Sequence, residues 1–261
     1  MFNWLKNKKT LSLSDINKMK IVGRLVGQTL ELVSEKIHPG MTTNEVDKIV
    51  NEFTIKNNAK PAPLGYKGFP KSICTSVNET LCHGVPSSYV LQEGDIVNVD
   101  VTTVKWGLHA DASYTFLIGS GDKKTKNLLE VARKARDEGI KVIKHGIKTG
   151  DIGHAIESYV RSTGFQVCEE IGGHGIGRKF HDEPFVPSVG PKNTGKKISK
   201  NQCITVEPVI NISSTKFIRR SIPDSSIYYY ENTDRSISAQ FEHTVLVTEN
   251  SYEIITAHNL D

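Results

Sequence analysis

Two stretches of this chain follow one plan, and that repeat narrows the fold more than any single motif does. Residues 14–37 carry Ile16, Met19, Val22, Val26, Leu30, Val33 and Ile37 at spacings of three and four. Such spacing puts apolar side chains on one face of a helix. His38-Pro39-Gly40 ends it, and Thr43 opens a second helix with Val46, Ile49, Val50 and Phe53 on one face. Downstream, KNLLEVARKARDEGIKVIKHGI is again helical, breaks at Thr149-Gly150 and restarts as DIGHAIESYV. Placing Gly40 over Gly150, a shift of 110 residues, aligns Val46 with Ile156 and Val50 with Val160. Strand-rich sequence follows each helix pair. The order suggests two similar halves, about 13–120 and 121–261, in one domain behind a tail at 1–12. Two unrelated helical hairpins would read the same way.

In the first half, Ile96–Val104 and Leu108–Phe116 are β-rich runs around Lys105-Trp106-Gly107. A turn made of Lys105 and Trp106 would set Val104 against Gly107 and Asp100 against Asp111. Opposed partners stand roughly 5 Å apart at Cβ, where like charges destabilise a sheet. Three outcomes are open: one aspartate faces solvent, the pair shares a proton, or a divalent cation sits between them.

Further oxygen and nitrogen donors lie in the second half. GGHGIGRKFHDEP packs four glycines around His174. That glycine density excludes a stable helix, at about 1 kcal/mol per glycine against alanine. No Gly-Lys-Ser/Thr follows, so it is no P-loop. Glycine permits close backbone approach, although a glycine-rich turn with an incidental histidine fits too. Glu207 in QCITVEPVI and Glu242 in SAQFEHTVLVT each put an acid into a β-rich run. Asp100, Asp111, His174, Glu207 and Glu242 together form the oxygen-rich set that a two-metal hydrolytic centre requires. With no cysteine in the set, it does not read as structural zinc.

Composition sets the outer bounds. The 261 residues are 37% hydrophobic and 24% charged, as in an ordinary globular chain with a full core. A net charge of +4 gives no footprint for nucleic acid. No apolar run approaches the roughly 20 residues of a membrane span. MFNWLKNKK is too short in apolar residues for a signal peptide. Cys74, Cys82, Cys168 and Cys203 show no CxxC spacing, so reduced thiols in a cytoplasm are expected.

Five segments, YKGFPKSICTSVNETLCHGVP, GDIVNVDVTTVKWGLHADASYTF, GGHGIGRKFHDEP, TVEPVI and SAQFEHT, together resemble the type I methionine aminopeptidases. The resemblance covers nearly the whole chain. It implies an α/β (α+β) pita-bread fold, two pseudo-symmetric halves with a central antiparallel sheet flanked by helices. It implies a metal-dependent hydrolase that removes N-terminal methionine ahead of a small second residue. Asp111 and Glu242 would bridge two divalent ions (cobalt, manganese, iron or zinc), Asp100 completing one and His174 with Glu207 the other. Water acidified by the metals would attack the carbonyl. Glu207 would shuttle its proton, His181 would stabilise the oxyanion, and His83 would bond the amide side of the scissile bond. The glycines would bring the His174 backbone close to metal and peptide.

By the same resemblance, Tyr66, Phe69, Cys74 and Phe180 line the methionine pocket, with Pro63 and Phe69 departing from the better-known cysteine and tyrosine. Asn78, Thr80 and Ser238 match a monovalent-cation site of some members. The chain reads as the short form, without an N-terminal zinc extension. The 35 residues from Glu207 to Glu242 leave no room for the type II insertion. Its partners would be nascent polypeptide N-termini, including those at the ribosome, with the protein itself a monomer. The alternatives are a proline-specific pita-bread peptidase and a metal-free pita-bread binding protein. The segment 215–234 is the least family-like. Counting back from Glu242 puts Tyr228 at the pocket mouth, over the methionine side chain, with Tyr229 on the other face. An exposed hairpin with packing tyrosines is the alternative there.

Overall fold

The computed structural model describes residues 10–213 and 216–260. Residues 1–9 of the expected tail, and Thr215, lie outside the described residues. Leu11 is already buried, and its N–H donates to the Asn201 carbonyl at 2.7 Å.

Helices α1 (Leu13–Lys36) and α2 (Thr43–Lys56) start at Ser12 and Thr42. Each cap trades hydrogen bonds with an acid three residues on, Asp15 or Glu45, which satisfies otherwise orphaned N–H groups. The first half continues through β1 (Lys60–Pro61), a short 3-10 turn at Tyr66–Gly68, β2 (Cys74–Val77), β3 (Thr80–Cys82), β4 (Ile96–Lys105) and β5 (Leu108–Leu117). Strand β4 pairs antiparallel with β5 on one edge and with β1 and β2 on the other. The apolar stripe of α1 (Met19, Val22, Val26, Leu30 and Val33) packs with Val97, Val99 and Val101 in one core.

Helices α3 (Lys123–Lys141) and α4 (Thr149–Arg161) open the second half. Thr149-Gly150, expected to be the break, begins α4 instead. The Asp151 carboxylate accepts the Lys148 N–H at 2.9 Å, a helix-start bond. Gly150 serves packing here, since a Cβ would meet Thr194 Oγ1 at 2.2 Å. Strands β6 (Gln166–Val167), β7 (Gly173–Ile176), β8 (Asp182–Val186), β9 (Cys203–Val206), β10 (Val209–Asn211), β11 (Phe217–Ser221), β12 (Tyr228–Asn232), β13 (Ser238–Gln240), β14 (His243–Val247) and β15 (Tyr252–Ile254) follow. They form a five-stranded sheet in the order β15-β14-β9-β7-β8, a sheet β13-β10-β6, and a sheet β11-β12-β3 that reaches back to the first half. Leu128, Val131, Ala132, Ile152, Ile156 and Val160 pack on Ile204, Val206, Val245 and Val247 in a second core.

The β4–β5 hairpin corrects the expected register. Its turn is Trp106–Gly107, one residue later, so Lys105 pairs with Leu108, Asp100 with Ser113 and Thr102 with Asp111. Both turn residues have positive φ, 54° and 72°. A two-residue hairpin needs that backbone to match strand twist, and glycine at its second position supplies it. The partner of Asp100 thus moves by two residues, which keeps both aspartates on one face.

Candidate metal centre

Each half contributes its own donors. Asp100 and Asp111 stand diagonally on β4 and β5. His174 lies on β7, a strand and not a loop. Its flanking glycines answer to neighbouring strands: a Cβ on Gly173 would meet the Thr205 carbonyl oxygen at 2.2 Å, and one on Gly175 the Glu183 oxygen at 2.2 Å. At these two glycines the close approach is backbone to backbone within the sheet, while Gly172 lines the cavity beside His174.

Glu207 and Glu242 occupy breaks between strands, another departure from the sequence reading. Val206 pairs with His243 in one sheet, and Val209 pairs with Gln240 in another. Glu207-Pro208 and Phe241-Glu242 span the gap between these pairings, so the acids face each other where the chain changes sheets. Pro208 has no N–H to donate and suits such an interruption.

Hydrogen bonds fix the donors. His174 Nδ1 lies 3.0 Å from the Gly175 carbonyl, which can only accept, so the proton is on Nδ1 and the Nε2 lone pair is free. That Nε2 is 4.0 Å from Asp111 Oδ2 and 3.7 Å from Glu207 Oε1. Thr205 Oγ1 accepts the His174 backbone N–H at 2.9 Å and donates to Glu207 Oε1 at 2.6 Å. Gln240 Nε2 donates to Glu207 Oε2 at 3.1 Å, and Thr102 Oγ1 donates to Asp111 Oδ1 at 2.8 Å. Nothing in the local sequence around Thr205, Gln240 or Thr102 signals these bonds, because each depends on the tertiary fold.

Burial pushes all four carboxyls above their ordinary range, with Glu207 reaching about 8. For Asp100 and Glu242 the neighbouring acids add to the effect, whereas bonds from Thr205, Gln240 and Glu242 oppose it at Glu207 and His174 opposes it at Asp111. Asp100 bonds to Asp111, and Glu207 to Glu242, as acid–carboxylate pairs. Even so, Asp100 Oδ1 and Glu242 Oε1 are buried without a hydrogen-bond partner. Donor atoms of Asp111, His174 and Glu242 all lie within 4.8 Å of one another. Orphaned buried oxygens, crowded acids and an aimed imidazole lone pair fit divalent cations, and the His174 Nδ1–carbonyl bond is the usual outer support of a metal-binding histidine.

These groups form the floor of a cavity of ≈ 290 Å³. Pro63, Tyr66, Phe69, Cys74 and Phe180 line it as expected, and Ile227, Phe217 and Tyr230 complete the wall. Tyr228 does not line this cavity. It lines an adjoining groove, and its carbonyl oxygen lies 3.0 Å from His83 Nδ1. Tyr230, two residues on and on the same strand face, lines the cavity itself. Tyr229 packs near Phe69, Cys74 and Ile222 behind the wall.

His83 and His181 also border the cavity. The Tyr228 carbonyl takes the proton of His83 Nδ1, so Nε2 is an acceptor. Burial lowers the His83 pKa, with Lys67 among the smaller causes. His181 stays partly exposed, yet burial first and then the nearby His174, His83 and Lys67 push its pKa down to about 3. Its Nδ1 is 3.2 Å from the Tyr66 hydroxyl. Burial keeps the Cys82 thiol protonated, which removes it as a nucleophile. Elsewhere, Asn78, Thr80 and Ser238 converge: the Asn78 carbonyl accepts the Ser238 N–H at 3.0 Å, and the Thr80 carbonyl accepts its hydroxyl at 3.3 Å.

Residues 17–249 match Metallopeptidase family M24. The chain is 41% identical over 242 residues to a methionine aminopeptidase of Rickettsia prowazekii, covering 93% of this chain and 92% of that protein. The crystal structure of methionine aminopeptidase from Rickettsia prowazekii superposes with a TM-score of 0.91 over 95% of this chain and 99% of that one. A prolidase of Pyrococcus horikoshii shares only the fold, at 20% identity and a TM-score of 0.74, over 97% of this chain and 64% of its own. The architecture is the pita-bread fold. The chain belongs to metallopeptidase family M24 and, within it, to the methionine aminopeptidases.

Proposed function

We propose that this chain hydrolyses the N-terminal methionine from peptides and nascent proteins whose second residue is small. The observation that carries this reading is the placement of four carboxyls, those of Asp111 and Glu242 buried and those of Asp100 and Glu207 partly so, and one imidazole in the wall of one largely apolar cavity. Asp111 and Glu242 would hold two divalent ions between them, with Asp100 on one and His174 and Glu207 on the other. Such oxygen and nitrogen donors accept manganese, iron, cobalt or zinc. Once bound, the ions supply Lewis acidity toward water and the scissile carbonyl.

The chain's own residues do the rest. Tyr66, Phe69, Cys74 and Phe180 give the methionine side chain a soft apolar wall, and the Cys74 thiol stays protonated in it. His83 Nε2, an acceptor, holds the amide N–H of the scissile bond. The Tyr66 hydroxyl lies 3.2 Å from His181 Nδ1; by donating to that nitrogen it would leave the His181 proton on Nε2, to meet the developing oxyanion. Glu207 receives a proton from the attacking water and passes it to the leaving nitrogen. Carbonyls of Asn78 and Thr80, with Ser238, are the place for a monovalent cation. The four unpaired cysteines suit a reducing cytoplasm, and among the described residues no helix is long and apolar enough to cross a membrane. We take the working unit to be a monomer that meets nascent chains at the ribosome.

The test is kcat/KM on Met-Ala, Leu-Ala, Leu-Pro and acetylated Met-Ala peptides, with metal content measured on the same sample. Met-Ala should lead. Leucine should be disfavoured by about 1–3 kcal/mol, the discrimination that pocket shape alone provides. Faster cleavage of a Leu-Pro peptide than of Met-Ala would favour a proline-specific peptidase, and protein that takes up no metal would favour a binding module.

A further inference from the structure

The cavity adjoins a second groove that shares Tyr66, His83, His181, Ile227 and Tyr230 with it and is otherwise walled by Lys67, Ser226 and Tyr228. Since His83 sits at the leaving side of the scissile bond in the reading above, on which this inference rests, the groove receives the peptide beyond that bond. No carboxylate lines it. Lys67 is its one lysine or arginine.

The backbone aims Lys67 deliberately. Its φ is +49°, a left-handed conformation uncommon for a lysine and worth asking about when seen. The Lys67 carbonyl accepts the Ser226 N–H at 3.0 Å and the Ser225 hydroxyl at 3.1 Å. Gly68 beside it lies so close to the 222–227 turn that a Cβ would meet the Asp224 carbonyl oxygen at 2.2 Å. The ammonium sits 5.3 Å from the centre of the Tyr66 ring. The Arg219 guanidinium lies 4.6 Å from the centre of the ring of Tyr228, one of the groove residues. Its neighbour Arg220 is paired with Glu231 at 2.9 Å, whereas neither Arg219 nor Lys67 has a carboxylate partner among the described residues.

We propose that Lys67, backed by Arg219, is a specificity determinant that favours substrates with a carboxylate downstream of the scissile bond. That carboxylate is either an Asp or Glu side chain near the third residue or the free terminus of a short peptide. Exposed ion pairs are weak, so the expected preference is about two- to five-fold in kcat/KM. It should appear in KM, as for binding shared by ground and transition states.

The experiment uses metal-loaded enzyme and compares Met-Ala-Glu-Gly amide with Met-Ala-Gln-Gly amide, and Met-Ala-Gly as free acid with its amide. Wild type, Lys67→Asn and Lys67→Glu are assayed at low and high salt; asparagine tolerates the left-handed backbone. The Glu-to-Gln ratio, or the acid-to-amide ratio, should exceed unity in wild type, shrink with salt, fall to unity in Lys67→Asn and invert in Lys67→Glu. Whichever ratio moves identifies the side chain or the terminus as the source. Ratios identical in wild type and Lys67→Asn would overturn the proposal while leaving methionine removal intact. Failure to cleave any of the four peptides would instead refute the function on which it rests.

Discussion

Thr205→Val removes one oxygen and should disturb both the fold and the metal site. Thr205 is fully buried, and its hydroxyl joins two expected ligands by accepting the His174 N–H and donating to Glu207. Valine preserves the shape but leaves that N–H buried without a partner, a cost of about 1–3 kcal/mol. It also removes a hydrogen bond to a carboxyl, worth about 1.5–3 kcal/mol when that group is charged. The two losses share an atom and need not add, so the metal-stripped protein should lose about 2–4 kcal/mol in urea unfolding. Divalent-metal affinity should fall about 10- to 100-fold by calorimetric titration, as for other outer partners of metal ligands. Thr205→Ser retains the oxygen and should recover most of both. A Thr205→Val protein with wild-type metal affinity would refute the idea that this hydroxyl orients the site. So would a serine variant as damaged as valine.

His83→Ala and His181→Ala should each bind metal normally yet lose about 10²–10⁴-fold in activity, because neither belongs to the expected ligand set. A large fall in bound metal would make that residue a ligand. In chelator, unfolding stability should decline from pH 7 to pH 8. Glu207 rises from 4.5 to about 8 on folding, so the folded state binds more protons in that window. The depressed histidines oppose this trend near pH 7 and cease to do so toward pH 8, where their unfolded forms are also neutral. Stability that climbs over the same interval would contradict the assignment. Tyr230→Ala should raise KM for Met-Ala peptides about tenfold, a loss near 1.4 kcal/mol, with metal content unchanged. Tyr228→Ala should do less, and the reverse order would return Tyr228 to the methionine pocket.

Much of this fold was legible because it rests on local periodicity. The stripe from Ile16 to Val33 and the two runs around Trp106 needed only side-chain spacing, and each became the expected element. The hairpin register missed because turn chemistry depends on which two residues take positive φ, and Gly107 belonged in the pair. That error left both aspartates on one face, since strand side chains repeat every two residues. Glu207 and Glu242 looked like strand residues because their neighbours are β-formers. Only pairing between segments some 30 residues apart shows that both fall at a break. Thr205, Gln240 and Tyr230 were invisible for the same reason: their roles come from partners that the fold, and not the local pattern, brings near.

The donors divide between the halves, with Asp100 and Asp111 on β4 and β5 and the other three beyond residue 170. The seam between them is stitched by Glu242 N–H to the Ser113 carbonyl at 3.0 Å and by two bonds joining Thr244 to the Asp111 backbone. A chain cleaved in the loop between β5 and α3 would therefore yield two fragments, each with an incomplete set of donors. Turnover from their mixture would count reassembled molecules alone. At dilute, equal fragment concentrations it would grow with the square of that concentration, making this hydrolase a reporter of its own complementation.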